Sequence, residues 1–130
     1  MQLNKTILEK RIDKANRYLD DQKNAKAEKF LKKLLENDDK NDEVLLLLGI
    51  TKRRLGKLKE AIEFFRKAVQ INPSREEAWG LLTITLIDQG NVEMAEKAIE
   101  EASSLNPENA RIQLLRHTLI PTYIKHGPFF

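Results

Sequence analysis

The chain has no cysteine, which excludes disulfides and thiolate metal sites and favours an intracellular, cytoplasmic setting. Glycine and proline number only five and four, leaving little room for anything besides helices and short turns. The longest apolar run, Val44 to Leu48, is far too short to cross a bilayer. The opening residues, Met1-Gln2-Leu3-Asn4-Lys5, lack the apolar core of an export leader, so none is expected. His117 and His126, the two histidines, sit in no metal-ligand spacing. The acidic stretch Asp38-Asp39-Lys40-Asn41-Asp42-Glu43 lacks the glycine and the spacing of a calcium loop. No glycine-rich phosphate loop and no nucleophile beside a base can be found. Neither catalysis nor a metal or other cofactor is therefore expected.

What the chain does have is charge and a period. Its 130 residues are 41% hydrophobic and 33% charged, a composition that suits one soluble, folded domain spanning 1–130. Residues 1–75 carry 19 Lys/Arg against 12 Asp/Glu, a balance of +7, and residues 76–130 carry 4 against 8, a balance of −4. Opposite fields on the two parts would favour head-to-tail association between copies.

The period is 34 residues. It links Ala27, Ala61 and Ala95; Leu31, Phe65 and Ile99; Leu34, Ala68 and Ala102; and Ala15, Gly49 and Thr83. Gly56 and Gly90 keep the interval, as do Pro73 and Pro107. A repeat of this length is one helical unit written three times, and stacked units make a surface rather than a catalytic pocket. The units fall at about 8–41, 42–75 and 76–109. Each reads as two amphipathic helices, with three-and-four spacing in Leu45, Leu48 and Gly49 and in Ala61, Phe65, Ala68 and Val69. Gly56 and Gly90 stand where a helix end wants a left-handed residue. Ser74 with Glu77 predicts a capping box, and Asn41 or Asp42 a second cap. Ile112, Leu115 and Leu119 predict an end helix over about 109–120 that Pro121 stops or kinks. The apolar, aromatic segment 121–130 predicts either truncation of a longer protein or a docking tail.

These residues resemble the tetratricopeptide repeat family. The likeness is carried by Leu45, Leu48-Gly49, Gly56, Ala61, Phe65, Ala68 and Pro73, and by Trp79, Leu82, Leu86, Gly90, Ala95, Ile99, Ala102 and Pro107. The first unit is degenerate: Ala15, Tyr18, Ala27, Leu31 and Leu34 fit, but Gln22 replaces the turn glycine and Asp39 the closing proline. Lys52 departs too, at a position the family usually gives to an aromatic or aliphatic residue. The resemblance implies an all-α fold, a right-handed α-solenoid of three helix-turn-helix repeats plus a C-terminal capping helix.

It also implies a scaffold or adaptor for protein-protein interaction, whose inner face is built from the first helix of each pair. That face would include Glu9, Ile12, Asn16, Leu19 and Asp20, then Glu43, Leu46, Leu47, Ile50, Arg53 and Arg54, then Glu77, Gly80, Leu81, Ile84, Ile87 and Asp88. Leu45 and Leu48 serve packing within the repeat, whereas Leu46, Leu47 and Ile50 are surplus to it. A helix apolar all round is covered on both sides. The expected occupant is a peptide or helix of a partner protein, gripped by Ile12, Leu46, Leu47, Ile50, Ile84 and Ile87 and oriented by Asn16, Arg53 and Arg54. A tight superhelix in which the inner side chains touch each other is the competing reading. The co-chaperone clamp for acidic C-termini needs Lys, Asn, Asn, Lys and Arg where this chain has Ile12, Asn16, Leu47, Glu77 and Leu81; only Asn16 agrees, and Glu77 would repel a carboxylate.

Two other functions compete. The chain could be a structural self-associating module, a homo-oligomer formed through the tail or the oppositely charged ends. It could hold RNA or another polyanion on Lys23, Lys26, Lys29, Lys33, Arg53, Arg54, Lys57 and Lys59. No aromatic is seen to interleave these lysines for base stacking, and no nucleic-acid motif accompanies them, so nucleic acid ranks last.

Overall fold

Asparagine side chains open four of the helices, taking up amides that the first turn leaves without intrahelical partners. Oδ1 of Asn4, Asn41, Asn91 and Asn109 accepts from the backbone N–H of Ile7 (2.9 Å), Val44 (3.0 Å), Met94 (3.2 Å) and Ile112 (3.1 Å). The structure, a computed structural model, describes residues 4–126, with side chains as far as Leu119. It comprises α1 (Lys5–Asp20), α2 (Asn24–Asn37), α3 (Asp42–Arg54), α4 (Leu58–Ile71), α5 (Glu76–Asp88), α6 (Val92–Leu105) and α7 (Ala110–His126), with no strand among the described residues. The fold is the all-α helix-turn-helix repeat that the period predicts.

Each pair turns at the same place. Gln22, Gly56 and Gly90 have φ of 62°, 79° and 85°. Around them the backbone makes the paired bonds of a Schellman ending, Gly56 N to Arg53 O (3.0 Å) with Lys57 N to Lys52 O (2.9 Å). Gly90 and Asn91 repeat the pattern on Ile87 and Leu86, and Gln22 and Lys23 on Leu19 and Tyr18. The same turn geometry thus forms with glutamine at residue 22.

Two local expectations are corrected. The Ser74–Glu77 capping box does not form: α5 starts after Arg75 with no side-chain cap, and Ser74 donates its N–H and Oγ–H to Asn72 Oδ1 instead. α7 does not end at 120 but runs through Pro121 to His126. Proline deletes one N–H from the ladder, and a helix can resume beyond that gap. Residues 127–130, the end of the expected docking tail, lie outside the described residues.

The chain divides into two compact units, one up to Ile71 and one from Asn72 onward. In the first, α3 packs against α1, α2 and α4. Ile12, Ala15 and Leu19 of α1 meet Ala27, Leu31 and Leu34 of α2 and Val44, Leu47 and Leu48 of α3 in one buried cluster. Lys52, 4% exposed, lies in this unit with Nζ 2.7 Å from Glu60 Oε2 and 3.3 Å from Glu28 Oε1. The hydrogen bond to Glu60, aided by Glu28, outweighs desolvation and pushes the Lys52 ammonium pKa up. Burial works to raise the Glu28 pKa, but hydrogen bonds from Lys32 and Lys52 prevail and hold it down.

In the second unit α5, α6 and α7 all touch one another. Trp79 and Asn106 both donate to the carbonyl of Pro73, at 2.7 Å each, tying the start of α5 to the end of α6. Gln113 of α7 accepts from Ser103 Oγ (2.8 Å) and donates to the carbonyls of Ser103 and Asn106 (both 3.2 Å). Arg116 Nε adds a 2.8 Å bond to Glu100. These contacts fix α7 on α6 and so determine what it presents to α5.

Candidate functional site

The first unit does not offer the apolar surface expected of it. Ile12, Leu46 and Leu47 are 6%, 3% and 7% exposed, and Ile12, Leu19 and Leu47 belong to the buried cluster. The expectation that Leu47 is surplus to packing is therefore corrected, because it belongs to the core that α1, α2 and α3 share; Leu46 is buried as well. Ile50 packs partly against the same cluster. Arg54 Nη1 donates to the Leu19 carbonyl at 2.7 Å, placing its cation at the C-terminal end of α1, where the helix dipole favours it. Asn16 and Arg53 are half-buried.

The second unit is different. Gly80, Leu81 and Ile84 of α5 and Leu114 and Leu115 of α7 line an open cleft of about 690 Å³, with Glu76, Glu77 and Arg111 at its rim. Gly80, Leu81 and Ile84 recur with three-and-four spacing and so share one face of α5. Leu115 lies over Gly80: a Cβ there would be 3.6 Å from Leu115 Cδ1. Leu114 is 61% exposed, the highest value among the exposed large apolar side chains described. Ile87, also expected at the site, is half-buried and outside the lining.

The rim is electrostatically lopsided. Glu76 Oε2 accepts from Asn109 Nδ2 (3.0 Å) and Oε1 from Arg111 Nη1 (2.8 Å). Those two bonds, Asn109 first, hold the Glu76 carboxyl below the usual range. Glu76 and Arg111 thus offset each other. Glu77 is exposed, and among the described residues no cation pairs with it, so the cleft mouth carries one uncompensated negative charge.

The α5 residues of the cleft are among those that the family resemblance implies for a binding face, and the α7 residues are not. Leu115 was legible as part of an apolar face, but Leu114 and Arg111 lie off that face. Their exposure beside an apolar partner is visible only once α7 is docked. No group of three or more His, Asp or Glu side chains placed to hold a metal occurs among the described residues. No helix of the described residues is long and apolar enough to cross a membrane.

Two family models described as tetratricopeptide repeat match the chain, over residues 12–76 and 52–117. No curated protein matches it by sequence. Among solved structures it is similar to PcrH in complex with the chaperone binding region of PopD, with 16% identity, a TM-score of 0.81 and 95% of each chain covered. The Yersinia enterocolitica type III secretion chaperone SycD in complex with a peptide of the translocator YopD gives 18% identity and a TM-score of 0.78, covering 94% of this chain and 92% of that one. The first repeat domain of Spaghetti (RPAP3) bound to an HSP90 peptide gives 20% identity and a TM-score of 0.76, covering 96% and 98%. At these identities the likeness establishes the fold.

Proposed function

The chain belongs to the tetratricopeptide repeat family, and we propose that it is a non-catalytic cytoplasmic adaptor that holds a segment of a partner protein in the α5–α7 cleft. The observation that carries this is the open apolar cleft of about 690 Å³ itself. Leu81, Ile84, Leu114 and Leu115 offer aliphatic walls to an inserted side chain. Burying one aliphatic anchor there is worth about 1.5–3 kcal/mol. Glu77 at the mouth favours a basic residue beside that anchor.

Structural neighbours seen with peptides of PopD, YopD or HSP90 support a peptide-binding use of this fold. The acidic HSP90 peptide in one of those structures is a poor guide to this partner, because Glu77 would repel a carboxylate at the cleft mouth.

The test is selection of peptides from a random display library on the intact protein, followed by affinity measurement of the synthetic peptides. Leu81→Glu and Ile84→Glu should each weaken binding by at least about tenfold, while circular dichroism stays unchanged. Unaltered affinity in both variants would remove the cleft from consideration.

A further inference from the structure

We propose that the groove between α1 and α2 is a second docking site, one that takes an acidic segment of a partner protein. Tyr18 of α1 and Phe30 of α2 meet edge to face there, with ring centroids 5.9 Å apart and planes at 76°. They border a pocket of about 170 Å³ whose other lining residues are Lys26, Lys29 and Lys33. Lys14 Nζ stands 5.8 Å from the Tyr18 centroid and 5.2 Å from that of Phe30. The expectation that no aromatic interleaves these lysines is corrected: Phe30 directly follows Lys29 in the chain, and Tyr18 joins it from α1.

The arrangement is costly without a ligand. Lys29 and Lys33 are four residues apart on one helix, a like-charge spacing that destabilises it. Among the described residues no carboxylate pairs with Lys26, Lys29 or Lys33, whereas their neighbour Lys32 has Glu28 at 3.1 Å. The surrounding residues 1–75 carry a balance of +7. An incoming anion relieves the mutual repulsion, and an apolar ring floor receives the methylene stem of its side chain.

The pocket holds the volume of about six waters, room for one or two side chains. The rings also discriminate between polyanions. Nucleic-acid bases need an open ring face to stack on. Here both rings pack partly on the core and lie beneath Lys14, and the small pocket they border suits a side chain rather than a stacked base. Carboxylates of an Asp/Glu-bearing segment need only the ammonium groups.

The experiment is fluorescence anisotropy on the whole chain with a labelled oligoglutamate peptide and, separately, a labelled oligouridylate. Oligoglutamate should bind, with affinity falling as salt rises. The triple variant Lys26→Gln, Lys29→Gln, Lys33→Gln should weaken it about tenfold, and the control triple Lys5→Gln, Lys40→Gln, Lys59→Gln by less than about twofold. Glutamine keeps helix propensity close to that of lysine, so both triples should fold. No binding of oligoglutamate, or an equal loss in the control triple, would overturn the proposal. So would tighter binding of oligouridylate that the first triple abolishes, since that outcome would assign the groove to nucleic acid.

Discussion

Gly49 lies directly beneath the ring of Phe65: a Cβ on residue 49 would fall 2.6 Å from Phe65 Cδ1 and 3.0 Å from Cζ. α3 and α4 approach this closely only because residue 49 has no side chain, and Phe65 is fully buried by the approach. Gly49→Ala should therefore destabilise the protein by about 1–3 kcal/mol in urea denaturation, through overpacking that the ring has no room to relieve.

Gly80 should respond in the opposite direction. Its nearest neighbour, Leu115 Cδ1, would stand at 3.6 Å from a new Cβ, an ordinary van der Waals contact. Gly80→Ala should raise stability by about 0.5–1 kcal/mol through helix propensity. Measured beside Gly49→Ala, it separates a glycine that packing requires from one that packing tolerates.

Gln22 holds φ of 62° at the turn where the other two repeats use glycine. A left-handed residue with a Cβ costs about 1–2 kcal/mol, part of which glycine returns as extra freedom of the unfolded chain. Gln22→Gly should raise the urea midpoint with unchanged m-value, by a net of about 0.5–1 kcal/mol.

The Lys52 cluster makes a prediction about pH. The Glu28 carboxyl pKa is depressed, so its contribution is present above the ordinary value of 4.5 and lost as pH falls through the lower folded value. The Lys52 pKa is raised, so its contribution is present below 10.5 and lost as pH rises through the higher folded value. The stability difference between the native chain and Lys52→Met should accordingly be flat between those limits and change outside them. Denaturation of both proteins across pH measures it, and the difference removes background from other groups such as Glu76.

Much of the fold was legible in the sequence because small residues recur at a fixed interval and each has a geometric reason to be small. Ala27, Ala61 and Ala95 are all fully buried, and the turn pattern survives even where Gln22 replaces glycine. The candidate site was only half legible. Hydrophobic spacing says that Leu47 is apolar, but not that α1 and α2 close over it. The α7 wall depends on polar contacts such as Gln113 with Ser103, which bring together residues with no shared period. Lys52 looked like an anomaly for the same reason. Its partners Glu28 and Glu60 sit on two other helices.

The most direct test of the adaptor account is methyl NMR of the intact protein, titrated with a peptide selected on it. The account predicts that the largest shifts fall on the methyl groups of Leu81, Ile84, Leu114 and Leu115. Largest shifts at Ile7, Leu55 or Leu105, with the cleft methyls unmoved, would contradict it.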